Sequence, residues 1–205
     1  MSESVGVLVM AHGTPAHPDE IEAFYTRIRR GRPPTPEQLA DLRRRYDAIG
    51  GLSPLTERTA AQVDGLRNAL ASLAPTQFVV AFGAKHTYPF IEDGAAELEK
   101  QGVSRVIGLV LTPHGSSMGS REYLDRASLA FEDRVPFEAI PHWYEHPDFV
   151  RLMAERVTAA RASIGANGPV VFTAHSLPER VRAMGDDYAE QLDESARLVA
   201  TAAGV

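Results

Sequence analysis

Val5-Gly6-Val7-Leu8-Val9-Met10-Ala11 runs without a polar side chain into His12-Gly13-Thr14-Pro15, after which Ile21, Phe24, Tyr25 and Ile28 recur at helical spacing. A short apolar run bounded by turn residues reads as a strand buried on both faces, and the three-to-four spacing beyond it reads as an amphipathic helix. Strand, loop and helix in that order form the opening half of a parallel α/β unit. The question for the rest of the chain is whether the pattern repeats.

It does, after an enlarged first crossover. Thr35-Pro36-Glu37-Gln38 carries a capping Thr, a first-turn Pro and a Gln three residues after the cap, and leads into Leu39, Leu42 and Tyr46. Gly50-Gly51 stops that helix, and Ser53-Pro54 starts another through Leu55, Val63, Leu66, Leu70 and Leu73. From there the elements alternate. Strands are predicted at Phe78 to Phe82, Val106 to Leu111 and, more weakly, Phe137 to Ile140, with helices at Phe90 to Lys100, Arg121 to Glu132 and Pro147 to Ile164. Asn167-Gly168-Pro169 then turns the chain into a predicted fifth strand, Val170 to Ala174, before a helix at Tyr188 to Ala203 with Gly204 as its stop. Continuous apolar strands separated by helices specify an α/β fold, a three-layer parallel doubly wound sheet.

With 205 residues the chain exceeds one typical domain of ~150. The boundary is expected at His142 to Pro147, which makes 1–142 an N-terminal α/β domain and 143–205 the beginning of a second, incomplete one. That remainder offers a single strand, so helix faces carrying Leu192 and Leu198 are expected to stay partly exposed and to favour self-association.

Composition narrows the class of function. Hydrophobic residues at 44% and charged residues at 23% are ordinary for a globular protein. The longest apolar stretch is far short of the ~20 residues that span a bilayer, and Met1 to Ser4 lacks the basic start of a signal peptide. A soluble, cytoplasmic protein without a membrane span is the expectation. There is no cysteine, which leaves no disulfide, thiolate zinc site or iron–sulfur cluster within these residues, so any metal must be met by His, carboxylate or Tyr. A net charge of −6 argues against nucleic acid as a partner. One window opposes the trend: Arg27, Arg29, Arg30, Arg32, Arg43, Arg44 and Arg45 face only Glu37 and Asp41, a local net of +5. Such a cluster is either a solvated helix face with stems lying on apolar surface or a recognition surface for an anionic small molecule.

Five of the seven histidines, His12, His86, His114, His142 and His175, follow directly on a predicted strand. The carboxyl ends of parallel strands are where open α/β sheets bind ligands, and imidazole can both ligate transition metals and move protons near neutral pH. Competing chemistry is weaker. Pro113-His114-Gly115-Ser116-Ser117-Met118-Gly119-Ser120 could cradle a phosphate on its N–H groups but lacks the P-loop Lys. Ser176, beside His175, lacks the G-x-S-x-G elbow of a nucleophile.

Taken in order, His12-Gly13-Thr14-Pro15, Ile28-Arg29-Arg30-Gly31-Arg32, Tyr46 with Gly50-Gly51-Leu52-Ser53-Pro54-Leu55, Lys85-His86, Pro113-His114 and Thr173-Ala174-His175-Ser176-Leu177-Pro178-Glu179 resemble the ferrochelatase family in its bacterial, water-soluble coproporphyrin form. The resemblance runs the length of the chain. It implies an enzyme of haem biosynthesis, in the lyase class, that inserts Fe(II) into coproporphyrin or protoporphyrin held between two similar α/β domains. Iron would then be a substrate, with no permanently bound cofactor, and the anionic porphyrin the partner. His175 matches the family's metal-site histidine, a catalytic base for the pyrrole protons or a ligand for the incoming iron. His12, Arg29, Arg45, Tyr46, Ser53 and Tyr123 match porphyrin-contacting positions, and His12 is a second candidate metal contact where relatives often carry Tyr. The resemblance also places a catalytic glutamate beyond Val205. The chain as it stands is therefore expected to bind porphyrin weakly and to show negligible insertion. The alternatives are a non-catalytic porphyrin-binding module or pseudoenzyme, and a related cobalt chelatase.

Overall fold

The computed structural model describes residues 4–165 and 168–205. In chain order the elements are β1 (Val5–Ala11), α1 (Ile21–Ile28), α2 (Pro36–Ala48), α3 (Leu55–Leu73), β2 (Phe78–Ala84), α4 (Ile91–Lys100), β3 (Arg105–Val110), α5 (Ser120–Phe131), β4 (Phe137–Ile140), α6 (Pro147–Ile164), α7 (Arg180–Ala183) and α8 (Tyr188–Ala203). The strands form one parallel α/β sheet of four, ordered β2-β1-β3-β4. β1 pairs in parallel with β2, Val5 opposite Phe78 through Ala11 opposite Ala84, and with β3, Val5 opposite Arg105 through Met10 opposite Val110.

The two-residue alternation of β1 divides its side chains between the layers. Val7 and Val9 point to one face, where they bury Val63 of α3 with Leu66, Leu70, Phe78, Val80 and Phe82 around them. On the other face Gly6 lies under Leu98 and Val103, and Leu8 reaches the backbone of α4 at Gly94. Leu8, Val9, Met10 and Leu98 are completely buried. At ~2 kcal/mol for each large apolar side chain buried, this sandwich supplies much of the first unit's cohesion.

The chain forms two compact units, one of 1–111 with 125–139 and one of 112–124 with 140–205. The first holds β1 to β3 and α1 to α4. The second is built mainly on α6 packed against α8.

Local signals decide the helix ends. Gln38 N–H donates to Thr35 Oγ1 at 3.3 Å and Thr35 N–H to Gln38 Oε1 at 3.0 Å, a complete capping box at the start of α2. α8 stops at Gly204 with φ of 67°, the left-handed residue that glycine adopts without steric cost.

The fifth strand is a correction. Val170 to Ala174 forms no ladder, and Val171 and Phe172 are 78% and 43% exposed. An apolar run becomes a strand only where a neighbour accepts its backbone hydrogen bonds, and among the described residues none lies beside this one. Residue 167 of the turn expected before it, and residues 1–3, lie outside the described residues. The single-turn helix α7 carried no apolar periodicity from which to anticipate it.

A Cβ built on Gly94 would sit 2.7 Å from Leu8 Cδ1 and 2.7 Å from the Phe82 carbonyl oxygen. Since the second contact is backbone, no rotamer change relieves it. Gly94→Ala is expected to push α4 off the sheet and cost ~1–3 kcal/mol, read as a lower melting temperature and urea midpoint; an unchanged midpoint would show that this approach is not tight.

Candidate functional site

Beyond the last ladder pair, the first unit's strands continue to guide their loops. Lys85 N–H donates to the Ala11 carbonyl at 2.9 Å and His86 N–H to the His12 carbonyl at 3.1 Å. These bonds bring the two histidines side by side, with ring centroids 4.7 Å apart, and Phe24 of α1 packs edge-on against both at 5.9 and 6.2 Å. His12 is exposed and His86 half-buried. Arg126 steadies the loop after β2: its Nη1 donates to the Lys85 carbonyl at 2.9 Å, while its Nε and Nη2 grip both oxygens of Glu92 at 3.0 and 2.8 Å.

The Arg-rich window folds as the end of α1, a tight turn and α2. Gly31 N–H returns to the Thr26 carbonyl at 2.9 Å, with Arg30 in the left-handed region at φ of 56°, so a charged residue occupies the stop position that glycine usually takes. Arg29 lies 5.5 Å from the Tyr25 ring and donates through Nε to the Arg32 carbonyl. Arg44 and Arg45 both pair with Asp41, the latter at 2.6 Å, and stay exposed. Tyr46 leaves α2 toward the first loop, its hydroxyl 3.4 Å from Thr14 Oγ1. Ser53 accepts from Leu55 N–H at the start of α3. A cavity of about 680 Å³ lies beside these loops, lined by Thr14, Phe24, Arg27, Leu55, Val63 and His86 among others.

The first unit thus gathers His12, Tyr46 and Arg27 of the Arg window near the carboxyl ends of β1 and β2, and it adds Thr14 and His86. Thr14 stood in the motif after the first strand, but its partner is 32 residues away and was not legible there. His86 was legible as a histidine after a strand.

Tyr123 and His175 belong to the second unit. Tyr123 is buried in α5, 6% exposed, and His175 is exposed on the loop before α7. His175 therefore follows a loop segment and not a strand. Among the described residues no three His, Asp or Glu side chains converge as a metal site.

The remaining histidines of the row pack around Tyr144. His114 stacks on it at 5.4 Å and 16°, and His142 tilts against it at 5.3 Å. His114 Nε2 is buried and makes no protein hydrogen bond, and burial holds the imidazole below its ordinary pKa. The Pro113 to Ser120 loop keeps its N–H groups occupied: Gly115 donates to Gln191 Oε1 at 2.7 Å, Ser116 to Ser120 Oγ at 2.9 Å and Ser117 to Asp186 Oδ2 at 2.6 Å. The anion in this helix-start cradle is the chain's own carboxylate.

A histidine held neutral by folding contributes stability above its unfolded pKa near 6.5 and loses it as pH falls, because the unfolded chain takes up the proton first. His114→Phe keeps a ring for Tyr144 and removes that proton. The melting temperature of the variant is expected to fall less than that of the parent between pH 7.5 and 5; parallel pH curves would contradict this account of His114.

The ferrochelatase family model matches residues 4–205. Coproporphyrin III ferrochelatase of Bacillus subtilis is 41% identical over 210 residues, covering 99% of this chain and 68% of the relative. Coproporphyrin III ferrochelatase 2 of Bacillus cereus is 42% identical over 208 residues, covering 99% and 65%. The coproporphyrin III ferrochelatase of Listeria innocua is 41% identical over 206 residues, covering 97% and 67%. The chain spans about two thirds of the length of these relatives. A match that runs from the first strand to the last helix leaves no element outside it, and the chain belongs to the ferrochelatase family.

Proposed function

We propose that this protein is a coproporphyrin ferrochelatase, inserting Fe(II) into the tetracarboxylate porphyrin with release of the two pyrrole protons. The observation that carries the reading is the 3.4 Å approach of Tyr46 to Thr14, which draws the Arg-bearing α2 to the loop where His12 and His86 stand together. Arg27 and His86 line the same cavity, and a guanidinium and an imidazole together suit a ligand that is anionic at its rim and accepts a metal at its centre. Arg29, Arg45, Tyr46 and Ser53 contact the porphyrin or its carboxylates in this reading, as does Tyr123, and His12 meets the metal. The relatives named for coproporphyrin III support that substrate over protoporphyrin.

His175 takes the pyrrole protons. Metallation must strip two N–H protons from a macrocycle that holds them tightly, and a neutral imidazole is a fitting acceptor. Its exposure on a loop leaves the ring accessible to a bound macrocycle. Among the described residues no helix is long and apolar enough to cross a membrane, and we place the protein in the cytoplasm.

In the full-length protein, His175→Ala is expected to abolish anaerobic Fe(II) insertion while porphyrin binding, followed by difference spectroscopy, persists. Near-normal turnover would remove His175 from the chemistry. The arginines differ in expected weight. Arg29→Ala should weaken coproporphyrin binding by ~1.5–3 kcal/mol, the range for a charge-assisted hydrogen bond, whereas Arg45→Ala should cost under ~1 kcal/mol because Asp41 already competes for its guanidinium. Variants that melt early and bind normally would assign the window to a solvated face instead.

A further inference from the structure

We infer that Asp186 is a positioning residue for His175, holding the loop that carries the proposed base through a carboxylate latch. The inference rests on the proposed role of His175, but its geometry stands apart from that role. Asp186 Oδ2 accepts from Ser117 N–H at 2.6 Å, from Ser117 Oγ at 2.5 Å and from Ser116 Oγ at 3.3 Å, while Oδ1 accepts from Tyr188 N–H at 2.9 Å. Four donors converge on one carboxylate. Despite partial desolvation, which opposes ionisation, the bonds from Ser117, Tyr188 and Ser116 hold its pKa below the ordinary aspartate value.

The latch fastens two segments that differ in rigidity. On one side the 115–117 loop is fixed: Gly115 N–H is bound by Gln191, and a Cβ at Gly115 would meet the Pro141 carbonyl oxygen at 3.2 Å. On the other side the chain from 171 to 176 runs exposed and without a ladder. It reaches Asp186 through one turn of helix, α7, whose Val181 is buried and whose Val181 carbonyl accepts from Asp186 N–H at 3.2 Å. Two residues beyond the latch, Tyr188 sets its ring edge-on to His114 at 6.3 Å and its hydroxyl 3.5 Å from the His175 carbonyl oxygen, a long contact. Asp186 therefore fixes Tyr188, and Tyr188 bounds where the His175 backbone can lie. An exposed loop without sheet partners has few other ways to hold an imidazole in one place.

The deciding experiment uses the full-length protein with Asp186→Asn, Ser117→Ala and Tyr188→Phe, read by melting temperature, by kcat and KM for the porphyrin, and by the His175 imidazole resonances in 13C-edited NMR. Asn can offer its one acceptor oxygen to the serine donors or to Tyr188 N–H but not to both, so one side of the latch opens without a change in size. The expected result is a kcat lowered about ten- to hundredfold with KM within about twofold, since small misplacement of a reacting group has effects of that order. The His175 resonances shift or broaden while those of His12 and His86 stay in place. Ser117→Ala, which removes one donor and preserves the fold, and Tyr188→Phe follow in the same direction with smaller losses. If Asp186→Asn does not fold, Ser117→Ala carries the test. Unmoved His175 resonances in these variants, or a loss confined to KM or to melting temperature, would overturn the assignment. A parent protein that inserts no iron would fail the proposed function alone, because the resonances report the latch without turnover.

Discussion

Strand β1 is buried on both faces, so its amide groups can reach no water and must be satisfied by a strand on each side. β2 and β3 meet that requirement residue for residue, and the rest of the first unit follows from it. The odd-numbered side chains need α3 and the even-numbered ones need α4, which places a helical layer on each face. A parallel neighbour cannot be reached by a hairpin, so every return crosses over, and every crossover leaves from a carboxyl strand end. The loops carrying His12 and His86 are thereby delivered to one edge of the sheet.

The same constraint explains why so much chain lies between β1 and β2. A minimal crossover needs one helix; here three are present, and the Arg-rich window spans the end of α1, the turn after it and α2. α2 buries no residue, so its sequence is free to be charged, and its place is set by caps and by the approach of Tyr46 to Thr14 instead of by a core. Helices that contribute little to folding are the ones that can be given over to an anionic ligand. The surface ion pairs that Arg44 and Arg45 share with Asp41 add little stability.

The second unit is organised differently. α6 and α8 pack together, and the segment between them carries its functional candidate on an exposed stretch. Order there comes from polar contacts, with Asp186 in the N–H cradle at the start of α5 and Gln191 closing the same loop. Each bond joins groups about seventy residues apart in the chain. A helix start that invites an anion is satisfied internally, which removes the phosphate site that the loop's composition allowed.

By itself the sequence determined most of the elements and the family. The apolar run of Val5 to Ala11, the capping box at Thr35 and the stop at Gly204 act within a few residues, so periodicity and cap chemistry reveal them, and the ordered motifs from His12 to Glu179 carry the resemblance. Whether an apolar run becomes a strand was decided by tertiary structure. Val170 to Ala174 reads like a strand, yet hydrogen bonds to a neighbour make one, and a neighbour is not a property of the run. The partners of Thr14, His86 and Asp186 likewise depend on contacts between distant segments. Local chemistry is written in adjacent residues, whereas the surroundings that give a side chain its partner and its charge state exist only once the chain has folded.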